Sequence, residues 1–557
     1  MKAWLFVLSA TLSAAAHAVV DMKTANYSET WVDLIAPGSG YDLRIQRTYN
    51  SRTIYSGLFG FGWCSDFESR LEVTPEGNLK VIECGAGTEL VYAPKKFDAQ
   101  KVDKTVVSIM EEVKKRNKGM SDKSLTELTK DLKDDDYFRE EFAKRIGLKG
   151  SITKDTLYYA NGRENETLAK QETSYRRTLG DGTFQLYDMT GRLTAMFDRN
   201  GNSLKLIYDK TKLTGVVDNN GRRLTLTYDA NSRRIKRIAG PNNLVVTYVS
   251  KGEDLSEVTN AWKKKYKYEY DSLHNMTKSI LPDGSTKLVT YNQDKDWVTG
   301  FTNEKGCVEN YEYKVNPDDP KNHYWSTVVK KCDNKITNRS SFEFFHRPRL
   351  DQTGVFLYRV KSDVNGQVTD IVYHEIFGKP VLMIRGNYKT EYNYYDTGMV
   401  KFKKEPSRST AFEYKNSCNK VSKVDVEYFD LSKGKTEKAK SLRKVATTFT
   451  YDPKKCNLSY AENTDGQTVK LQYDARGRIA VIEDQSKKLV KVKYEEKFGK
   501  PETVARPGLG TIKVVYKGDG EISSVDSKEG PQVAVQVASI FNNLLDIIAP
   551  AQAETNL

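Results

Sequence analysis

From residue 187 onward, apolar and polar side chains alternate in short runs, and each run closes on Tyr-Asp or a near relative before a turn. Residues 215–235, GVVDNNGRRLTLTYDANSRRI, show the unit. Asp218-Asn219-Asn220-Gly221 is predicted to turn, because Asn and Asp bond their own backbone and Gly tolerates positive φ. Leu224, Leu226 and Tyr228 fall on one face of the following strand, and Thr225 and Thr227 on the other. Residues 229–232 supply the next turn, and Ile235 and Ile238 begin the returning strand. The same grammar recurs at residues 198–209, 283–292, 465–474 and 510–520. One period is therefore about one β-hairpin. A lone hairpin is marginal in water, so each must bury its Leu/Tyr face against its neighbours.

The dipeptide itself stands at Tyr187-Asp188, Tyr208-Asp209, Tyr228-Asp229, Tyr270-Asp271, Tyr395-Asp396, Tyr451-Asp452 and Tyr473-Asp474. Degenerate copies are Tyr248-Val249, Tyr291-Asn292, Tyr313-Lys314, Tyr414-Lys415, Tyr494-Glu495 and Tyr516-Lys517. Neighbouring tyrosines are 20 to 22 residues apart from Tyr187 to Tyr313, and again from Tyr451 to Tyr516. So regular a period means one structural unit stacked many times. It breaks between Tyr313 and Tyr373 and between Tyr414 and Tyr451, where longer hairpins are expected.

Two stretches abandon the period of two for one near 3.6. In residues 95–155, Val106, Ile109, Met110 and Val113 make a helical stripe closed by Gly119. Ser124 and Glu127 have the spacing of a capping box for a second helix bearing Leu125, Leu128 and Leu132. Residues 134–136 precede a third helix with Phe138, Phe142 and Ile146, and Gly147 stands where a C-terminus wants it. This insert reads either as a solvated decoration or as a recognition or lid element. Near the C-terminus, Val533, Val537, Ile540, Phe541, Leu544, Leu545 and Ile548 recur at spacings of three and four. That amphipathic helix is too short and polar to span a bilayer. It is expected to dock on the repeats, with partner or membrane-surface docking as the alternative.

The repeat resembles the YD repeat of the Rhs family, shared with the shells of bacterial ABC toxin complexes and with teneurins. Residues 36–71 resemble the segment that opens many Rhs proteins, most plainly in Arg47-Thr-Tyr-Asn-Ser51 and Gly57-Leu-Phe-Gly-Phe-Gly-Trp63. The resemblance implies a mainly β fold in which YD-repeat hairpins form a spiralling sheet or hollow shell. The expected division is a signal peptide (1–18), an N-terminal Rhs-like β segment (19–94), the helical insertion (95–155) and the YD-repeat shell (156–530). A C-terminal helix (531–549) and a disordered tail (550–557) complete it. Many Rhs proteins release a toxin by aspartyl self-cleavage at an Asp-Pro-x-Gly stretch. Here Asp452-Pro453 is followed by Lys454-Lys455 and Asp319-Pro320 by Lys321-Asn322, and neither matches. Only 27 residues follow Gly530, too few for an enzymatic domain, so a short form lacking the toxin is expected.

The ends and the cysteines place the chain. Lys2, an apolar core over residues 3–10 and Ala16-His17-Ala18 read as a secretory signal cleaved after Ala18. No later run is long and apolar enough for a transmembrane helix. Export to the periplasm, cell surface or medium suits six cysteines without a Cys-x-x-Cys, which favour disulfides over zinc. Cys307 and Cys332 are symmetric about residues 317–320, and Cys418 and Cys456 about Glu437 in the charged loop 433–438. Cys64 and Cys84 flank the turn at residues 75–78 less symmetrically.

The net charge of +14 and pI near 9.1 invite a nucleic-acid reading. Lys and Arg are scattered among Asp and Glu, however, and no helix-turn-helix, RNP or Cys/His signature is present, so no nucleic acid is expected. Attraction to anionic cell-surface polymers is the milder consequence. His274, His323, His346 and His374 have no partner at metal-ligand spacing, and no Gly-x-Ser-x-Gly elbow, phosphate loop or dinucleotide fingerprint occurs. The aromatic stretch Phe342-Glu-Phe-Phe-His-Arg347 is explained by strand alternation, and most tyrosines by the half-buried repeat position. No cofactor and no enzymatic activity are expected. The leading reading is an exported scaffold for binding or encapsulation at the cell envelope, taking an envelope glycan or a separately encoded protein cargo. A cell-surface adhesin or glycan-binding protein is the second reading, and an envelope carbohydrate-processing enzyme the third.

Overall fold

The alternation folds as the sequence dictates. In the strand Arg223–Tyr228, Leu224 and Leu226 are buried while Thr225 and Thr227 are exposed. The computed structural model describes residues 19–84, 89–94, 100–160, 163–230, 234–349, 355–430, 440–517 and 520–530, with residues 532, 535, 536 and 539. The signal at 1–18, the loop at 433–438, the tail at 550–557 and most of the C-terminal helix lie outside the described residues. Gln532, Val535, Gln536 and Ser539 are helical.

Most repeat tyrosines mark a defect in the ladder. The pairing slips by one residue immediately before Tyr187, Tyr208, Tyr228, Tyr270, Tyr291, Tyr373, Tyr394, Tyr451, Tyr473, Tyr494 and Tyr516. A bulge bends its strand and increases the local twist. The tyrosine hydroxyl then reaches back fifteen residues to a carbonyl. Tyr208 donates to Leu193, Tyr228 to Leu213, Tyr270 to Leu255 and Tyr291 to Met276. Tyr473 donates to Leu458, Tyr494 to Ile479 and Tyr516 to Pro501, and all seven bonds measure 2.6–3.0 Å. Leu193, Met276 and Leu458 are the bulge partners of Tyr187, Tyr270 and Tyr451, so one bulge is stapled to the last. The aspartate closes the turn: Asp188 Oδ1 accepts the N–H of Thr190 and Arg192, and Asp474 Oδ1 those of Arg476 and Arg478. Asp198, Asp218 and Asp484 do the same on the opposite rim.

Four copies differ from the sequence reading, among them Tyr414, which follows the last residue of the unbulged strand Arg408–Glu413. At Tyr395-Asp396 the register is one residue early: Tyr394 carries the bulge and bonds the Pro380 carbonyl at 2.5 Å. Tyr395 fills the aspartate position, its N–H bonding the Met399 carbonyl as that of Asp188 bonds Arg192. At the degenerate copy Tyr248 the bulge falls before Ser250, and the tyrosine turns inward to Asp33. Tyr313 lies in an unbulged pair with Ser326.

Thirty-six strands, from Arg70–Val73 to Ile522–Ser527, form one closed antiparallel sheet. The wall overlaps its own start, where Arg70 bridges Arg192 and the Leu71 N–H meets the Gly191 carbonyl at 2.8 Å. Turns far apart in sequence also meet. Lys420 Nζ bonds the Gly180 carbonyl at 3.1 Å. At Gly477, whose φ is +75°, Asn200 leaves no room for a Cβ.

The N-terminal segment divides. Val19–Asp21, Asn26–Ala36, Leu43–Asn50 and Trp63–Ser65 form a separate four-stranded sheet, whereas Arg70–Val73, Leu79–Ile82 and Glu89–Ala93 are the first strands of the wall. Cys64–Cys84 flanks the hairpin turn between Arg70–Val73 and Leu79–Ile82, as the spacing indicates, and also ties the four-stranded sheet to the wall. Cys307–Cys332 and Cys418–Cys456 clamp the two long hairpins at Cα separations of 4.4 and 5.6 Å.

The insert holds three helices, α1 (Gln100–Arg116), α2 (Asp122–Asp134) and α3 (Asp136–Ile146), between two adjacent wall strands. Val106, Ile109, Met110, Val113, Leu132 and Ala143 form its own core. The cap of α2 is Ser121, one turn earlier than the Ser124–Glu127 spacing indicated, with Ser124 giving its N–H to the Ser121 hydroxyl. On α3, Phe138 is exposed and Arg139 is buried, because the helix docks by charge. Arg139 pairs with Glu76 at 2.7 Å, Lys144 with Glu72 at 2.9 Å, and Lys80 with Glu140 at 2.8 Å.

Candidate binding surface on the long hairpins

The face of the wall that carries Leu224 and Tyr248 is its inner face, and over much of its length the N-terminal sheet covers it. Arg47, fully buried, is the centre of that contact. Its Nε lies 2.6 Å from Asp33 and its Nη2 donates to the Tyr268 hydroxyl at 2.8 Å. Its guanidinium carbon stands 4.5 Å from the Trp63 ring centre and 5.2 Å from those of Trp31 and Tyr268. Such a cation is tolerated in a core only when paired and hydrogen-bonded. Tyr49 accepts the Met276 N–H at 2.8 Å, Trp63 Nε1 donates to the Tyr270 hydroxyl at 2.8 Å, and Lys287 meets Glu29 at 2.6 Å. The Gly57–Trp63 loop is gathered by Glu68, which accepts the N–H groups of Leu58 and Ser65 at 2.6 and 2.7 Å. Burial pushes the Glu68 carboxyl up to about 7 against the pull of those donors. Residues 47–51 and 57–63 thus build the contact between the N-terminal sheet and the wall.

Past Tyr313 and Val328, the last wall residues packed against the core shared with the N-terminal sheet, the covering thins, and the strands lengthen. His323–Cys332 has 10 residues, Lys335–Pro348 has 14 and Val355–Val364 has 10, against 5 to 7 in the repeats. Register carries the inner face onward through Tyr324, Phe344, Val360, Ile371 and Met383 in one cross-strand row. Phe344 is buried, but Tyr324, Phe342, Val360, Ile371 and Met383 are only half-buried. The equivalent wall positions Leu224, Val246 and Val258, under the N-terminal sheet, are at 0% exposure. The inner face here is apolar and half open.

The outer face of the same panel is equally unusual. Lys314, Trp325, Glu343, Lys361 and Asp370 follow one another across five strands, and His323, Phe345 and Arg359 form the next row. The His323 ring sits 4.3 Å from Trp325 and 4.4 Å from Phe345. The Asn316 amide approaches His323 Nδ1 at 2.9 Å and Glu343 lies 2.8 Å from Nε2, so the ring is held from both sides. Lys361 is 3.9 Å from the other Glu343 oxygen, and Arg359 makes a two-pronged pair with Asp370. The stretch Phe342–Arg347 does alternate: Phe342, Phe344 and His346 face inward, Glu343 and Phe345 outward. Alternation accounts for the spacing and leaves an aromatic cluster on each face. The run of large residues was the available signal for the outer cluster, and the pairing register that assembles it spans 56 residues from Lys314 to Asp370.

The remaining candidate residues are dispersed. His274 bonds Asp254 at 2.9 Å near the N-terminal sheet, while burial lowers His346 and His374 from the usual histidine range. Among the described residues, no group of three or more His, Cys, Asp or Glu is placed to hold a metal, and no helix is long and apolar enough to cross a membrane.

Residues 18–92 match a family described as a domain of unknown function, DUF6531. No curated protein matches the chain. Among solved structures the chain is similar to TcdB2-TccC3-TEV, at 11% identity over 90% of this chain and 26% of that one, with a TM-score of 0.35. It is also similar to the Photorhabdus luminescens Tc holotoxin pore, at 10% identity over 90% and 22% of the two chains and a TM-score of 0.30. TcdB2-TccC3 without its hypervariable C-terminal region is 12% identical over 81% and 29%, at a TM-score of 0.25. The chain spans about a quarter of the length of these chains.

Proposed function

We propose that this is an exported, non-enzymatic scaffold that holds a separately encoded polypeptide against the inner face of its wall at the cell envelope. The observation that carries the reading is the half-open apolar row Tyr324, Val360, Ile371 and Met383, continuous with the first half of the wall, which the N-terminal sheet covers. Burying such a row releases roughly 25 cal/mol for each Å² of apolar surface removed from water, which favours an apolar partner segment. Three disulfides support an oxidising address, since they persist outside the reducing cytosol.

Photo-crosslinking tests the reading. A benzophenone side chain placed at Phe342 or Ile371 in the protein exported from its native host should yield one discrete crosslinked polypeptide. The same probe at Thr225, on the outer face, should not. No adduct from either inner position, or equal adducts from Thr225, would refute the proposal.

A further inference from the structure

The outer face of the long-hairpin panel differs in kind from the outer face of the repeats. On the repeats that face carries Thr, Lys and Glu, with cross-strand pairs such as Lys265–Glu257 at 2.7 Å and Lys278–Glu269 at 3.2 Å. On the panel, three rings replace them. The His323 ring touches both Trp325 and Phe345, and all three remain half-buried with no strand above them among the described residues. Lys314 stands directly opposite Trp325 on the neighbouring strand, exposed, and has no ion pair among the described residues. On the other side Lys361 lies over Phe345 at 5.4 Å and is only loosely paired with Glu343. The two lysines are three strand spacings apart, roughly 14 Å at the usual separation between paired strands.

Rings that present a face, flanked by cations at that separation, suit a ligand with apolar C–H faces and regularly spaced negative charge. Protein partners with an apolar face are the poorer match, because charged and hydrogen-bonded groups (Glu343, Arg359, Asp370) interrupt the rings on one side. We infer that this outer cluster is a binding site for an acidic polysaccharide, with Trp325 and Phe345 stacking on sugar rings and Lys314 and Lys361 meeting their carboxylates. Aromatic faces carry the negative end of a quadrupole and hold C–H groups, while the lysines add a salt-dependent attraction. Glu343 and Asn316 act as positioning residues, fixing the His323 ring on which Trp325 and Phe345 lean. The site is independent of the inner face and of any cargo.

The test uses the full mature chain and polygalacturonate of defined length as probe, with dextran of equal length as the neutral control, by calorimetry at two salt concentrations. Polygalacturonate should bind and dextran should bind at least tenfold more weakly. Trp325→Ala should weaken polygalacturonate binding at least tenfold at both salt concentrations, and Lys314→Glu should weaken it most at low salt. Far-UV circular dichroism identifies a variant that fails to fold, in which case Lys314→Glu, at an exposed position, decides alone. Equal binding by wild type and Lys314→Glu would overturn the inference. So would a Trp325→Ala loss that vanishes at high salt, which would mean bulk charge only.

Discussion

Removing the hydroxyl of a single repeat tyrosine should measure what the period does. Tyr473 is half-buried, and its hydroxyl donates to the Leu458 carbonyl at 2.7 Å, the point where the preceding bulge is paired. Tyr473→Phe keeps the ring and deletes only that bond. A neutral hydrogen bond contributes about 0.5–1.5 kcal/mol net, and a carbonyl left without its partner in a half-buried site pushes the cost toward the upper end. We expect a loss of about 1 kcal/mol for Tyr473→Phe. Adding Tyr494→Phe and Tyr516→Phe should bring it to roughly 3 kcal/mol, with any departure from additivity reading the coupling of neighbouring bulges, because the Tyr494 acceptor Ile479 is itself the bulge partner of Tyr473. Tyr460→Phe is the control, since that hydroxyl meets only side chains at the surface, the exposed Glu462 at 3.1 Å and Thr468, and its loss should cost close to nothing. The assay is equilibrium urea unfolding, with hydrogen exchange over residues 458–473 to localise the effect, because a stacked array can open locally. If Tyr473→Phe and Tyr460→Phe were indistinguishable, the stapling of bulge to bulge would be wrong.

Three further outcomes follow from named contacts. Arg47→Ala should cost about 3–5 kcal/mol in urea unfolding by leaving Asp33 buried and unpaired, and Arg47→Met with Asp33→Leu should recover much of it. Acidification should destabilise the wall. Burial raises the carboxyls of Asp188, Asp474 and Asp484, but backbone N–H donors and the partners Thr190, Arg192, Arg478 and Arg506 outweigh it and hold them below the usual range. A depressed carboxylate contributes stability above its unfolded-state value and loses it as pH falls through the folded one. Melting temperature should therefore drop below about pH 4, and less steeply in Asp474→Asn, as followed by scanning calorimetry. Replacing Cys418 and Cys456 by Ser should cost up to about 4 kcal/mol for a 38-residue separation in the chain-entropy view, read from unfolding under non-reducing conditions.

The wall was legible in sequence because its rule is local. Leu224, Leu226 and Thr225 declare their faces by alternation, and Asp218 or Asp474 declares a turn by bonding its own backbone. The bulge was not legible. Tyr395-Asp396 looks like a sound copy and Tyr394-Tyr395 does not, yet the pairing selects Tyr394, because register depends on the partner strand. Tyr248 failed for a different reason: a buried aspartate from the N-terminal sheet, 215 residues away, competes for its hydroxyl. The α2 cap slipped one turn because Ser121 and Ser124 both have capping chemistry and only the helix start chooses between them. Charge docking of α3 was likewise hidden, since Arg139 is drawn inward by Glu76, 63 residues upstream. The two panel faces were visible as aromatic residues, but Lys314, Trp325, Glu343 and Lys361 become neighbours only through strand pairing.

The tyrosine bulges curl the wall shut around residues 19–65. An electron cryo-microscopy map of the protein tests this most directly. It should contain a closed wall with the four-stranded N-terminal sheet inside it and Arg47 between Trp31, Trp63 and Tyr268. An open, flat sheet, or a closed wall with residues 19–65 on its outside, would contradict the account.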